Sequence, residues 1–321
     1  MGLIFLLLSL ALADMAGAAG AAGAADRPCP PPPDLAKANT SASSPSTADH
    51  GLLWRLRRGG HASYLYGSMH LGRPAWAQPG PALRQAWAQT DVLAVELDVT
   101  DEATQAAVAA VPQPAKPLSK RLRQRLAAQA EAACLPAQAL ADFHPLLQLS
   151  TLTLLAGRWD GLDSAFGQET VLLARARAEA RRVVALETAE QQMAALIPAE
   201  SRANTSDTLR SIEQALAQLE RGKMHSEVRG PMLRLALAWE RGDLAELQDY
   251  ERWCDCIHSA ADRREMRRLN DSRNPAMATR IKALHDSGAR ALVAVGALHM
   301  TGPAALSVLL ERMGFVVERI R

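Results

Sequence analysis

The chain has 321 residues, which is long enough to bury a substantial core in one large domain or in two smaller ones. Its formal net charge is nearly balanced, at +2, and its lysines and arginines form no long run. Composition therefore argues against a nucleic-acid partner, because nucleic-acid-binding proteins concentrate basic residues on one surface.

The first 25 residues have the pattern of a secretory signal peptide. The apolar run LIFLLLSLALA is too short to span a bilayer as a helix, and small residues follow it up to Asp26. We therefore expect export, with cleavage after Ala25 and a mature protein that is periplasmic or secreted. The alternative is an Ala/Gly-rich tail, because the basic start of a signal peptide is missing. No later segment has the pattern of a transmembrane span.

Residues 26–50 are rich in Pro, Ser and Ala and are predicted to form an exposed linker. The four cysteines are Cys29, Cys134, Cys254 and Cys256. They are consistent either with one or two structural disulfides in an oxidising compartment or with free, partly buried thiols. The Cys254-x-Cys256 pair lacks a second close pair and so does not have the spacing of a zinc ribbon.

Strands and helices alternate at the start of the folded region. LLWRLRRGGHASYLYGSMHL predicts a β-hairpin with its turn at Gly59-Gly60. Pro81 begins a helix that places Leu83, Ala86 and Trp87 on one face, and VLAVELD predicts a buried strand after it. The segment 63–98 is therefore a predicted βαβ unit with parallel pairing.

The middle of the chain is predicted to be mostly helical, with one further helix and strand at 167–187. The chain closes with the strand ALVAV, the helix PAALSVLLERMG and the strand FVVERI, which form a second βαβ unit with Gly314 at the helix end. The predicted fold class is α/β, with a mostly parallel central sheet built from two βαβ units. One domain at 51–321 would carry a large helical insertion at about 101–165 and 190–286.

Two of the predicted strands end in the same motif. SYLYGSMHLGRP and ALVAVGALHMTGP each run from an apolar strand into Gly-x-x-His, which gives His70 and His299. Acidic residues end the strands between them, at Glu96, Asp98 and Glu187. Because ligands bind beyond the carboxyl ends of parallel strands, these side chains are expected to meet.

Imidazole together with carboxylate suits a divalent cation such as Zn, Co or Mn. We predict His70, His299 and Glu96 as metal ligands, with Glu187 as a further candidate. If Glu96 is not a ligand, it could accept a proton from water as a general base. Each residue also has a simpler interpretation: Asp98 is the better candidate for a helix N-cap, and Glu96 and Glu187 could pair with arginines.

The sequence resembles the TraB/GumN family, which is related to the Tiki metalloproteases. The matching segments, in chain order, are YLYGSMHLG, VLAVELD, VVALETAEQQMAAL, LAWERGD, DSRNPAMATRI and LVAVGALHMTG. The resemblance implies that His70, Glu96, Arg273, Asn274 and His299 form an active site, with Glu96, Arg273 and Asn274 catalytic. It also implies divalent-metal-dependent, peptidase-like activity on a peptide or protein substrate. The Arg273 guanidinium could bind a substrate carboxylate or an oxyanion.

The function that we predict from the sequence is an exported, metal-dependent hydrolase that acts on peptide bonds. The alternative is a non-catalytic periplasmic binding or regulatory protein that captures a peptide or a haem-like ligand in the same cleft. A binding site could use the same groups, so the residues alone do not separate these two functions. The sequence contains no signal for an oligomeric state.

Overall fold

The computed structural model describes residues 28–33, 46–111, 114, 117–197, 206–220 and 229–321. The predicted signal peptide at 1–25 and residues 34–45 of the predicted linker lie outside the described residues. The chain forms two compact units. Among the described residues, the helical unit takes in 28–33, 99–111, 114, 117–164, 189–197, 206–220 and 229–232, and the sheet unit takes in 46–98, 165–188 and 233–321.

The fold class is α/β, as the sequence predicts. The strands are β1 (Leu52–Arg58), β2 (His61–Ser68), β3 (Val92–Val95), β4 (Arg182–Ala185), β5 (Ala291–Gly296) and β6 (Val316–Arg319). The α-helices, in chain order, are α1 (Pro81–Ala88), α2 (Glu102–Ala109), α3 (Lys120–Ala132), α4 (Pro145–Leu155), α5 (Gln168–Ala178), α6 (Ala189–Leu196), α7 (Ser206–Glu220), α8 (Arg229–Arg241), α9 (Leu244–Gln248), α10 (Tyr250–Trp253), α11 (Ala260–Leu269), α12 (Asn274–Asp286) and α13 (Leu306–Arg312).

The six strands form one sheet in the order β4-β3-β5-β2-β1-β6. The pairs β4–β3, β3–β5 and β5–β2 are parallel, whereas β1 is antiparallel to both β2 and β6. Both predicted βαβ units therefore lie in one mostly parallel sheet. The predicted direct pairing within the first unit is wrong, because β5 lies between β2 and β3 and hydrogen-bonds to both.

The central strand β5 is buried at all of its six residues. Its sequence, ALVAVG, has no polar side chain, which suits a strand that is covered on both faces. In the turn that joins β1 to β2, Gly59 and Gly60 have φ angles of +59° and +87°. The tight β1–β2 turn needs these left-handed conformations, which glycine adopts without a steric penalty.

Local signals in the sequence explain where several elements begin and end. Helix α1 starts at Pro81 and buries Leu83, Ala86 and Trp87, as predicted. Gly314, with φ +88°, follows α13 and allows the chain to reverse into β6. The predicted N-cap at Asp98 is wrong: Asp101 caps α2 by accepting from the Thr104 N–H, while the Asp98 carboxylate pairs with Arg177.

The helical unit has its own apolar core. Helices α3, α4 and α7 bury one stripe of side chains each, including Leu122 and Leu126, Leu152, and Ile212 and Leu216. A disulfide joins Cys29 to Cys134 within this unit, across a sequence separation of 105 residues. The segment 28–33, near the start of the predicted linker, is therefore joined covalently to the chain just after α3.

The other described end of the predicted linker is held in the sheet unit. Asp49 accepts a hydrogen bond from the Ala82 N–H at 2.8 Å. His50, the last residue of the linker that was predicted to be exposed, is half-buried against the rings of Trp76 and Trp239. In the part of the chain that the structure describes, no helix is both long enough and apolar enough to cross a bilayer.

Candidate metal centre and active site

The candidate site lies where four parallel strands end. His70 follows β2 by two residues, Glu96 follows β3 directly, and Glu187 follows β4 by two residues. His299 lies in a short 3₁₀ helix, Ala297–Met300, that begins as β5 ends. The registers pair Ser68 with Gly296 and Val95 with Ala294, so these strands end at the same edge of the sheet. Strand order alone therefore brings residues from distant parts of the sequence together.

Gly296 is the backbone position around which three of the side chains meet. A Cβ atom on Gly296 would lie 3.3 Å from His70 Nε2, 3.3 Å from Glu96 Oε1 and 3.7 Å from His299 Cδ2. The two imidazoles are therefore neighbours, as the duplicated motif predicts. Gly296 has φ −49°, a conformation open to any residue, so its role here is to leave space and not to turn the chain.

Glu96 is a buried carboxylate that is kept ionised by its surroundings. Its Oε1 accepts the Gly296 N–H at 2.8 Å, and its Oε2 accepts from Arg273 Nη2 at 2.5 Å. Burial alone would raise the pKa of Glu96, but the positive charge of Arg273, together with His299, His70 and the Gly296 hydrogen bond, holds that pKa well below its usual range.

Arg273 lies between two buried carboxylates, with only a small part of its own side chain exposed. Its Nε donates to Glu187 Oε1 at 3.0 Å and its Nη2 donates to Glu187 Oε2, while Nη2 also contacts Glu96. Burial alone would lower the pKa of Arg273, and the charges of Glu96 and Glu187 outweigh it and raise that pKa. Glu187 engages the guanidinium of Arg273, and the predicted binding of a substrate carboxylate or oxyanion by Arg273 stays a prediction.

His299 is a buried, neutral imidazole with a defined tautomer. Arg273 Nη1 lies 3.3 Å from His299 Nε2, and because a guanidinium can only donate, Nε2 is the acceptor. The proton is then on Nδ1, which donates to Asn274 Oδ1 at 2.6 Å. Burial and the charge of Arg273 lower the pKa of His299 to about 3, against the opposing effect of Glu96.

Asn274 links His299 to the start of α12. Its side-chain amide donates to the backbone carbonyls of His299, at 3.2 Å, and of Ala304, at 2.8 Å. Its carbonyl oxygen is used by the His299 ring. Asn274 is fully buried, so all of these hydrogen bonds are shielded from water. Asn274 therefore fixes the position and the tautomer of His299.

The sequence analysis missed Glu169, which lies in the first turn of α5. Its Oε1 lies 3.2 Å from His70 Nδ1 and accepts from the Ser68 hydroxyl. Its Oε2 is buried and has no hydrogen-bond partner. The Gln168 N–H donates to the Met69 carbonyl at 2.9 Å, which fastens the start of α5 to the first Gly-x-x-His loop. Glu169 is at a helix start, so no strand-end pattern in the sequence could have indicated it.

His70, Glu96 and Glu169 form a group that could hold a metal ion. One ligand atom from each lies within 4.8 Å of the others, and the two carboxylates are buried. Burial alone would lower the pKa of His70, but the charge and hydrogen bond of Glu169, with the charge of Glu96, raise it. Among the described residues this group does not include His299 or Glu187. The ligand roles predicted for those two residues stay predictions.

These features define an α/β protein with histidine, carboxylate and guanidinium side chains gathered at the carboxyl edge of a parallel sheet. A model of the TraB/PrgY/gumN family matches residues 52–319, and the chain belongs to this family. The resemblance that the sequence motifs indicate is thereby confirmed. Comparison with curated proteins gives no match, and comparison with solved structures gives none either.

Proposed function

We propose that this protein is a metal-dependent hydrolase with peptidase-like activity. His70 and Glu169 hold a divalent metal ion such as Mn, Co or Zn, and Glu96 acts beside them as a third ligand or as the general base. The observation that carries the proposal is Glu169 Oε2, a buried carboxylate oxygen with no partner, inside a cluster of three potential ligands. A buried charged oxygen without a partner is costly, and metal coordination is one of the few arrangements that satisfies it.

The formal charge of the site supports the same proposal. Glu96, Glu169 and Glu187 contribute three carboxylates, whereas Arg273 is the one buried guanidinium among these residues. Even with His70 protonated, as its raised pKa favours, the three carboxylates outnumber the two positive charges in this region. A bound dication would balance that excess, because buried charges require pairing or metal coordination. The mixture of imidazole and carboxylate donors suits Zn, Mn or Co better than Cu(I) or Ca.

A metal ion bound here would supply Lewis-acid chemistry, polarising a peptide carbonyl and making a bound water molecule easier to deprotonate. The chain's own residues have separate tasks. Glu96 is the candidate base, and Arg273 keeps it ionised and oriented. Arg273 is thus a positioning residue, since Glu187 and Glu96 occupy its donors. His70 has 22% of its side chain exposed and is the member of the cluster that substrate could approach.

The decisive experiment compares the wild-type protein with two variants, Glu169→Gln and Glu311→Gln. Wild-type protein that has never met a chelator should contain a stoichiometric divalent metal by elemental analysis and should cleave members of a peptide library. Glu169→Gln should lose metal affinity, because it removes a ligand charge while keeping the side-chain shape. Glu311→Gln is the matched control, since Glu311 is exposed on α13 and should leave both properties unchanged.

Glu96→Gln separates a ligand from a base. If Glu96 is the base, metal content stays and turnover falls by about 10²–10⁴-fold. If Glu96 is a ligand, metal affinity and turnover both fall. Wild-type protein that neither contains nor takes up Zn, Mn or Co would contradict the proposal. Metal binding without any cleavage would favour the alternative, a non-catalytic protein that captures a peptide or a haem-like ligand.

We further propose that the protein is exported to the periplasm or beyond it. The support comes from the apolar start of the sequence and from the two disulfides, Cys29–Cys134 and Cys254–Cys256. Disulfides persist in oxidising compartments and are rare in the reducing cytosol. All four cysteines of the chain are paired, so no free thiol is left to serve another role in the folded protein.

A further inference from the structure

The second disulfide, between Cys254 and Cys256, closes a loop with a single residue between its ends. It lies between α10 and α11 in the sheet unit. The stabilisation that a disulfide gives by restricting the unfolded chain grows with the length of the loop that it closes. Cys29–Cys134 closes a loop with a sequence separation of 105 residues, and Cys254–Cys256 closes one with a separation of 2. Structural stabilisation is therefore a weak explanation for the short pair.

The two sulfurs of this pair differ in their access to solvent. Cys254 is 1% exposed and so is shielded from solvent, whereas Cys256 is exposed. A thiolate from solvent can reach Cys256 Sγ and would displace Cys254 as the leaving group. The Cys256 N–H already donates to Cys254 Sγ at 3.2 Å, and this contact would stabilise the departing thiolate. The Tyr250 hydroxyl lies 3.8 Å from Cys256 Sγ and offers it a donor once it is reduced.

The residue between the two cysteines has an unfavourable backbone conformation. Asp255 has φ +51°, in the left-handed region that L-residues other than glycine adopt at a cost. The short disulfide ring spans this residue, and opening the ring allows the backbone to leave that region. Release of a local backbone cost on reduction makes a disulfide easier to reduce.

We propose that Cys254–Cys256 is a thiol–disulfide exchange site that reacts with low-molecular-weight thiols such as glutathione. In the first step a donor thiolate bonds to Cys256 Sγ, the Cys254–Cys256 bond breaks, and Cys254 leaves with the electron pair and takes a proton from water. A second donor thiolate attacks the donor sulfur of the mixed disulfide, and Cys256 leaves as a thiolate that is then protonated. Two donor thiols become one disulfide, and the protein gains two electrons and two protons. The reverse reaction reoxidises the pair.

The test equilibrates the full chain with glutathione buffers of graded redox potential. Each sample is quenched with acid and alkylated, and the reduced fraction of each disulfide is read from its peptides by mass spectrometry. The equilibrium constant for reduction should be at least roughly tenfold larger for Cys254–Cys256 than for Cys29–Cys134, which corresponds to about 30 mV. Reduction of both disulfides together, or of Cys29–Cys134 first, would overturn the proposal.

Two single variants test the direction of attack. Cys254→Ser leaves the exposed Cys256 thiol and should form a mixed disulfide with oxidised glutathione. Cys256→Ser leaves the buried Cys254 thiol and should react at least roughly tenfold more slowly, because access limits exchange. Equal rates would contradict the assigned roles. The double variant Cys254→Ser/Cys256→Ser should unfold at nearly the wild-type temperature, and a large loss of thermal stability would identify the pair as structural instead.

Discussion

Arg273 pairs with two of the three buried carboxylates in the candidate site, Glu96 and Glu187. Its side chain is 10% exposed, and those of Glu96 and Glu187 are 3% and 6% exposed. Arg273→Leu should therefore destabilise the protein by about 3–5 kcal/mol, because it leaves two buried carboxylates without their partner. The free energy of unfolding from urea titrations, with metal removed, checks this value.

The matched control for Arg273 is Arg290, which pairs with Asp91 at 3.1 Å on the surface. Both side chains of this pair are about half exposed. Arg290→Leu should change the free energy of unfolding by no more than about 1 kcal/mol, because water and salt screen exposed ion pairs. Similar small effects for the two variants would mean that the buried carboxylates are relieved in some other way, for example by protonation.

A second residue-scale prediction concerns His285, a buried histidine on α12. Its Nε2 donates to the Arg58 carbonyl at 2.9 Å, and its Nδ1 accepts from the Ser63 hydroxyl at 2.9 Å. Burial lowers the pKa of His285, and the His61 ring stacked 3.8 Å away acts in the same direction. The Arg58 carbonyl and the Asp286 charge oppose this shift, and the Arg58 charge adds to it.

The folded state therefore binds a proton at His285 less readily than the unfolded state does. As the pH falls below about 6.5, the unfolded chain takes up that proton first, so the free energy of unfolding should decrease. Urea titrations at pH 7, 6 and 5 should show a smaller decrease for His285→Gln than for wild type. His258→Gln, which changes an exposed histidine, is the control. Identical slopes for wild type and His285→Gln would refute this assignment.

The sequence predicted those site residues that follow strands and missed the one in the first turn of a helix. His70, Glu96 and His299 could be assigned because parallel strands end at a common edge of their sheet. Glu169 could not, because the start of α5 meets the first Gly-x-x-His loop through a tertiary contact, from the Gln168 N–H to the Met69 carbonyl. The sequence argument allowed Glu187 to pair with an arginine, but it could not identify Arg273 as that partner.

At the scale of secondary-structure elements, the glycines of the two Gly-x-x-His turns provide space. A Cβ on Gly67 would lie 3.2 Å from Leu52 Cβ and from Met300 Cγ, so Gly67 allows close packing of the sheet against the second turn. A Cβ on Gly296 would crowd Glu96 and His70. The two motifs thus have one sequence pattern but different packing functions, which the sequence could not distinguish.

Gly296→Ala tests this interpretation directly. We expect metal affinity to fall by about 10–100-fold, as for other changes next to metal ligands, while the fold persists because φ −49° suits alanine. Calorimetric titration with Zn or Mn measures the affinity, and circular dichroism checks the fold. Gly230→Ala is the matched control, since nothing lies within 4 Å of its added Cβ. Unchanged affinity in Gly296→Ala would place the metal elsewhere.

For the whole molecule, the sequence predicted an α/β fold with a helical insertion, but it could not indicate which core each of the inserted helices joins. The predicted insertion runs to 286, whereas the helical unit ends at Met232 and Leu233–Arg321 belongs to the sheet unit. An amphipathic helical pattern shows that a helix has a buried face and does not show which core that face joins. Trp239 illustrates the point, because its indole N–H donates to the Gly67 carbonyl in the sheet unit.

Export is the prediction that belongs to the whole molecule. N-terminal sequencing of protein recovered from its native host should start near Asp26, because the small residues before it suit signal peptidase. The same preparation should contain no alkylatable thiol without reduction, since all four cysteines are paired. An intact Met1 in a cytoplasmic fraction would contradict export and would weaken the expectation for the disulfides.

The position of β5 at the centre of the sheet has a consequence for biosynthesis. Its first residue, Ala291, hydrogen-bonds to Ser63 on β2 across 228 residues of sequence. A ribosome makes β1 to β4 well before it makes β5, so β2 and β3 each lack a neighbour on one side until the late strand arrives. Such long-range pairing slows folding and leaves unpaired strand edges open to aggregation. We therefore expect the growing chain to need protection from aggregation until β5, at residues 291–296 of 321, has been made.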